Sequence, residues 1–363
     1  MTVGEKNPNK PNKTILLVGE TGTGKSTLIN AMVNYVMGVK WEDEVWFQIV
    51  EEEKKSQTES QTSDVIVYEI FGCETKYSLT IIDTPGYKDT KGREHDDITN
   101  DRLLDLFSSN DGVHEISAVC LVMKASVNRV GDDVRYIFDR LMSLFGKNLE
   151  KNIVVLITHS AGRKPQNVFE ALEAVKIKCA RNETNEPVYF LFDNCQHEER
   201  TKDEEEELEH AAKISEGGMT GFTHFLEITA DNKMMDSVDV MKERIRLKAC
   251  LQNLLERIDH IEGKQKEIKK LQEALDKYKE DMEKNEKFTE MKDLATEKSQ
   301  WLEESYHHVV KLEQIALKAD SASTIHHLDK LIEKVKKNGD TRTTQKLEEM
   351  RSRVDEETRA GLQ

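Results

Sequence analysis

Proline is absent after Pro187: all five (Pro8, Pro11, Pro85, Pro165, Pro187) lie in the first 187 residues of a 363-residue chain. Proline breaks helical interiors, so the rest of the chain is free to form long helices. Aromatic side chains are scarce, 6% against 34% charged residues. That is rich in charge for one compact globule and predicts a long solvated helical part. A basic excess is also missing. The net charge is −16, with no basic stripe, which argues against a general nucleic-acid binder and against nonspecific adhesion to anionic membranes, while peripheral membrane contact stays open. The five cysteines (Cys73, Cys120, Cys179, Cys195, Cys250) show no C-x-x-C spacing. They fit reduced thiols better than a disulfide framework or a zinc site. No apolar run approaches membrane-spanning length, the first residues form no apolar signal stretch, and position 2 is Thr rather than the Gly that myristoylation needs. The expectation is a cytoplasmic protein.

What is present divides the chain in two. Residues 1–13 are polar, with Asn, Lys and two Pro, and read as a flexible arm. Residues 14–235 alternate strand patterns (14–18, Val65–Phe71, Leu79–Ile82, Ile116–Met123, Ile153–Thr158, Val188–Phe192) with helical patterns (25–37, 98–110, 132–145, 167–181). This order predicts an α/β domain with a mostly parallel sheet wrapped on both faces, and an antiparallel hairpin of 65–71 with 79–82 at one edge. Phe138, Phe145 and Phe190 read as core. From 236 to 345, Leu247, Leu251, Leu254, Ile258 and later apolar residues recur at three- and four-residue steps among Lys and Glu. Two arrangements fit this extension, a coiled coil with another chain and a helical hairpin or small bundle folding back on itself or on the sheet domain. Residues 346–363 read as a polar tail.

The strand Ile15–Val18 runs straight into Gly19-Glu20-Thr21-Gly22-Thr23-Gly24-Lys25-Ser26-Thr27. This is G-x-x-x-x-G-K-S, a phosphate-binding loop in its strand-loop-helix setting. Glycines let the backbone curl so that successive N–H groups face phosphate oxygens. Lys25 reaches the β and γ phosphates, the Ser26 hydroxyl holds Mg²⁺, and the following helix points its positive end at the same oxygens. A second element, Asp83-Thr84-Pro85-Gly86, ends the strand Leu79–Ile82. Asp83 there holds a Mg²⁺-bound water, and the Gly86 N–H senses a γ-phosphate. A third element should be a hydroxyl that reaches Mg²⁺ when the γ-phosphate is bound. Thr62, just before the strand at 65–71, is the first choice, and Thr58 the second. A fourth should read the base. The strand Ile153–Ile157 ends in Thr158-His159-Ser160-Ala161, where the N/T-K-x-D reader of small GTPases would have Lys and Asp. The strand Val188–Phe192 ends in Asp193-Asn194-Cys195.

Together, the phosphate loop, D-T-P-G, the T-H end and the F-D-N end resemble the septin-related branch of GTPases, which includes the AIG1 (immunity-associated GTPase) family and the Toc chloroplast import GTPases. The resemblance covers roughly residues 14–230. It implies a three-layer P-loop GTPase domain binding GTP or GDP with Mg²⁺, in which His159 packs on or bonds to guanine and Asn194 helps to hold it. The stretch Ala125–Asp133 resembles the G-R-Y-T box of the AIG1 family, near that family's dimer face, which makes Arg129 a candidate interface or trans-acting cation.

Small GTPases place Gln after the Gly of D-x-x-G to orient the attacking water, but this chain has Tyr87. A phenol does not replace a carboxamide in that role, so slow hydrolysis by the monomer is expected. Arg93, Glu94 and His95 follow in a polar loop that suits a mobile segment or water positioning. The reading is a GTPase that hydrolyses GTP slowly and switches with homodimerisation or higher homo-oligomerisation, through the G domain and possibly the helices. Two rivals stand beside it: an ATP-preferring P-loop NTPase, which Ala161 permits, and a nucleotide-stabilised scaffold with negligible hydrolysis.

Overall fold

The computed structural model describes residues 1–354 apart from 44, 51–63, 73–74, 86–92, 128–134, 136–141, 199, 202, 276–285 and 317–321. The chain forms two compact units, Met1–Val238 and Asp239–Gln363.

The first unit is built on a seven-stranded sheet. Its strands are β1 (Thr2–Gly4), β2 (Asn12–Gly19), β3 (Ile66–Phe71), β4 (Ser78–Asp83), β6 (Ala118–Lys124), β7 (Ile153–Thr158) and β8 (Tyr189–Leu191), in the order β1-β3-β4-β2-β6-β7-β8. Every neighbouring pair is parallel except β3 with β4. Two short strands, β5 (Glu115–Ile116) and β9 (Asn232–Lys233), pair separately and antiparallel. The central strands β2 (from Thr14), β4, β6 and β7 are buried on both faces almost throughout and mostly apolar, as strands covered by helices on both sides must be. Among the described residues, the α-helices of this unit are α1 (Lys25–Met37), α2 (Arg93–Ser108), α3 (Gln166–Ala174) and α4 (Glu205–Ile228). One core cluster joins Leu28, Ile29 and Met32 of α1 to Ile15, Leu17 and Ile81 of the sheet and to Met219, Phe222 and Leu226 of α4. Phe145 is fully buried, and the Phe190 ring meets Phe222 edge-on at 5.4 Å. Phe138 lies outside the described residues.

Three local expectations are corrected. The segment 1–13 is not a free arm. β1 pairs with β3, the Met1 ammonium donates to the Val67 carbonyl (2.7 Å), and Lys10 donates to the carbonyls of Gly72 (3.0 Å) and Thr75 (2.7 Å). A three-residue strand is too short to show a period, and its hydrogen bonds are made with a distant segment. For the same reason the β3–β4 hairpin is antiparallel as expected but not at the edge, since β1 lies outside it. The helix expected over 167–181 stops at Ala174. Lys176 takes a left-handed φ of 51°, and the N–H groups of Lys176 and Ile177 return to the carbonyls of Glu173 and Leu172, a Schellman ending made without glycine. Most of the helix expected over 132–145 lies outside the described residues.

The second unit is helical. It comprises most of α5 (Met235–Leu275), with α6 (Glu286–Ile315), α7 (Ala322–Lys337) and α8 (Thr341–Val354). Leu247, Leu251, Leu254 and Ile258 of α5 share one buried cluster with Leu302, Val309 and Leu312 of α6, Leu328 and Leu331 of α7, and Leu347, Met350 and Val354 of α8. Of the two arrangements weighed from sequence, the helices adopt the bundle that folds back on itself, because the three- and four-residue steps give each helix one apolar face to bury. Residues 346–354 are not a polar tail. They belong to α8, where Leu347 and Met350 are fully buried. Leu347→Ala is therefore expected to destabilise this unit by about 2–5 kcal/mol, read as loss of amide hydrogen-exchange protection across α7 and α8. Unchanged protection would show that α8 contributes little to the bundle.

Candidate functional site

In an open, mostly parallel sheet, ligands bind beyond the carboxyl ends of the strands. β2 ends at Gly19, β4 at Asp83, β7 at Thr158 and β8 at Leu191, so the phosphate loop, Asp83, His159 and Asp193–Asn194 all follow these ends.

The loop owes its shape to its glycines. Gly22 and Gly24 adopt left-handed φ values of 78° and 83°, which side-chain-bearing residues resist. At Gly19 a Cβ would stand 2.5 Å from the Val122 carbonyl oxygen, so only glycine fits against β6. The Thr23 hydroxyl donates to the Glu20 carbonyl (2.9 Å), closing the turn, and the Leu28 N–H reaches back to the Gly24 carbonyl to start α1. Lys25 is buried at 8% exposure, and its ammonium donates to the carbonyls of Gly19 (2.9 Å) and Glu20 (3.1 Å). Burial lowers its pKa from 10.5 to about 8, against the opposing pull of the Asp83 and Glu20 carboxylates. Asp83 is fully buried, in register with Leu17 of β2. Next to it the Thr84 hydroxyl donates to the Leu17 carbonyl (2.8 Å) and locks the end of β4 to β2. The Thr21 hydroxyl is buried with no hydrogen-bond partner among the described residues, an atom of the kind that a bound phosphate satisfies.

A second group sits at the ends of β7 and β8. The Thr158 hydroxyl donates to the Thr23 carbonyl (2.7 Å), tying β7 to the phosphate loop. His159 has a left-handed φ of 51°, an uncommon state for a non-glycine residue and the kind of strain that gathers at functional sites. A Cβ placed on Gly24 would lie 3.7 Å from His159 Nε2, so the imidazole borders the phosphate loop. Ser215 of α4 fixes the loop after β8. Its hydroxyl accepts from the Asp193 N–H (2.9 Å) and donates to Asn194 Oδ1 (2.9 Å). Burial raises the Asp193 pKa, opposed by His159, and burial beside Asp193 pushes the Cys195 thiol up to about 12.

Of the residues expected from sequence, Gly19 to Thr27 lead from the end of β2 into α1, Asp83 ends β4, the direct neighbour of β2, and His159 and Asn194 follow β7 and β8. Thr62, Thr58, Gly86, Tyr87 and Arg129 lie outside the described residues, as do the side chains of Arg93, Glu94 and His95. Sequence reasoning missed the supporting groups Thr158, Asp193 and Ser215. Thr158 and Asp193 flank residues already singled out, whereas nothing local marks Ser215.

A cavity of about 420 Å³ lies elsewhere in this unit, between α1 and α4, and its lining includes Tyr35, Trp41, Trp46, His197, Arg200 and Lys213. The Arg200 guanidinium stacks over the Trp41 ring at 3.7 Å. No residue of the phosphate loop lines this cavity.

Among solved structures, the chain is similar to Toc33 from Arabidopsis thaliana in complex with GDP and Mg²⁺ (15% identity, 63% of this chain and 84% of that one, TM-score 0.41) and in complex with Mg²⁺ and GMPPNP (16%, 64% and 85%, 0.40). It is also similar to LeoA, a bacterial dynamin GTPase from ETEC (12%, 92% and 64%, 0.33). No curated protein matches the sequence. Residues 13–234 match the model of the AIG1 family. With that match spanning most of the chain, and with a phosphate loop at the head of a mostly parallel sheet, this chain belongs to the AIG1 family.

Proposed function

We propose that the chain binds GTP with Mg²⁺, hydrolyses it slowly to GDP and phosphate, and uses the difference between the two states to control self-association. The observation that carries this reading is Lys25. Its ammonium is held inside a loop curled by two left-handed glycines, with the buried Asp83 carboxylate acting on it. A cation so enclosed suits polyphosphate better than any uncharged ligand.

The residues fit the substrate and its metal. The glycine curl and the unpartnered Thr21 hydroxyl suit phosphate oxygens, while Ser26 and Asp83 supply the hard oxygen ligands that Mg²⁺ takes directly or through water. Mg²⁺, when bound, neutralises charge on the β and γ phosphates. Lys25 turns from the Gly19 and Glu20 carbonyls to the phosphates and stabilises the charge that develops as water attacks the γ-phosphorus in line. The N–H groups from Gly22 to Thr27, at the positive end of α1, bind the same oxygens. We assign Thr62 to the metal, Gly86 to the γ-phosphate and Arg129 to the dimer face. His159 and Asn194 hold the base, and Asp193 adds a carboxylate beside His159. Tyr87 in place of a water-orienting Gln supports a slow monomer.

Single-turnover hydrolysis across a range of protein concentrations tests the proposal. The rate should rise with concentration, whereas a rate near zero throughout would favour the scaffold. Competition of GTP against ATP tests the base. Ala161 removes the usual carboxylate reader, and equal affinity or preference for ATP would sink the guanine assignment.

Lys25 also sets a pH dependence. With a pKa of about 8 before binding and a higher one once phosphates surround it, affinity should be nearly flat below pH 8 and decline above it. GDP affinity is expected to fall about tenfold from pH 7 to pH 9, measured by titration with a fluorescent GDP analogue. A flat profile would show that Lys25 keeps its proton throughout.

A further inference from the structure

We propose that Cys250, Glu304 and His308 form a Zn²⁺ site in the helical unit, clipping α5 to α6. Sequence spacing argued against zinc because the cysteines are isolated from one another. The tertiary fold brings Cys250 of α5 to Glu304 and His308, which lie one turn apart on the same face of α6. One ligand atom from each, the thiol sulfur, a carboxylate oxygen and an imidazole nitrogen, lie within 4.8 Å of one another.

The second observation is how His308 is held. Its Nδ1 bonds to Glu243 Oε2 at 2.5 Å, and both side chains are buried. Glu243 is in turn fixed by Lys311 (2.6 Å) and Arg246 (2.8 Å). With Nδ1 taken up by the Glu243 carboxylate, Nε2 is the ring nitrogen left for a metal. This is the carboxylate–histidine arrangement that orients metal-bound imidazoles. Nε2 stands 4.0 Å from Glu304 Oε1, too far for a hydrogen bond, so the nitrogen faces the carboxylate without bonding to it.

Thiolate, imidazole and carboxylate together select Zn²⁺ over Mg²⁺ or Ca²⁺. Zinc–ligand lengths of about 2.0–2.3 Å require donors roughly 3.5 Å apart. Glu304, about half exposed, has the freedom to close that gap. The Cys250 thiol gives up its proton to solvent as the S–Zn bond forms. Three protein ligands leave the fourth position to water.

The test uses the full chain, reduced, with GDP and saturating Mg²⁺, titrated with Co²⁺ and then Zn²⁺. The expected result is one equivalent of Co²⁺ with a near-ultraviolet sulfur-to-cobalt charge-transfer band, displaced by Zn²⁺ and absent in Cys250→Ser and His308→Gln. Glu243→Gln should bind Co²⁺ about 10–100-fold more weakly, and Glu304→Gln, at a half-exposed position that folding tolerates, at least about tenfold more weakly. Absence of the band in the unmodified chain at a few-fold metal excess overturns the site. So does a band that survives Cys250→Ser, which would belong to another cysteine. Should Cys250→Ser lose its helical circular dichroism, unchanged affinity in Glu304→Gln overturns the proposal on its own.

Discussion

Lys25→Ala is expected to lower GTP and GDP affinity by on the order of 10²- to 10³-fold, the scale for removing one preorganised charge-stabilising donor. Hydrolysis should fall at least as far. No other described side chain places a cation inside the glycine curl, and the N–H groups of the loop bind phosphate without supplying full charge. The substitution also removes a donor from two carbonyls and a cation from beside the fully buried Asp83. Losing a nearby cation from a buried carboxylate is costly, so the variant should also be less stable without nucleotide. Calorimetric titration measures the first effect. Circular dichroism separates it from unfolding. Affinity within a few-fold of the unmodified chain, in a folded variant, would remove Lys25 from the phosphate site and with it the main support for the proposed function.

The second large effect comes from neighbouring glycines of α4 with opposite outcomes. A Cβ at Gly218 would stand 2.0 Å from the Leu191 carbonyl oxygen and 3.0 Å from the Phe192 ring, whereas one at Gly217 would meet nothing within 4 Å. Gly218→Ala must therefore push α4 away from β8, an overpacking that costs about 1–3 kcal/mol or more. Ser215 lies one turn earlier on the same helix and holds both Asp193 and Asn194, so the shift should weaken nucleotide binding as well as stability. Gly217→Ala relieves the entropy of a helix-interior glycine without a clash and should stabilise by about 0.5–1 kcal/mol, leaving binding unchanged. Thermal melting and nucleotide titration of the two variants give the comparison. Equal melting temperatures would mean that α4 is not seated on β8 as described.

The phosphate loop was legible because its chemistry is contiguous. A loop that must curl around phosphate needs glycines at fixed positions, and the lysine follows at once in the chain. The central strands were legible for a similar reason, since burial on both faces leaves an unbroken apolar run. Asp83 and His159 could be found because each ends such a run. Ser215 could not, since a serine on an amphipathic helix looks the same whether it faces solvent or holds a loop twenty residues earlier. β1 was lost because three residues carry no period, and the end of the helix at Ala174 because Lys176, not glycine, takes the left-handed turn.

The sequence by itself determined the phosphate-loop motif that underlies the proposed ligand, the alternation that makes a mostly parallel sheet, and the presence of long helices beyond Pro187. All of these rest on interactions between residues close in the chain: backbone curl, strand and helix periodicity, and the absence of proline. Only the tertiary structure decided that the long helices pack on one another, that β1 covers the edge of the hairpin, and that Ser215 sets the loop beside His159. It alone brought Cys250 to Glu304 and His308. An amphipathic face records that it will be buried but not against what, and that choice is made by shape and packing between distant segments.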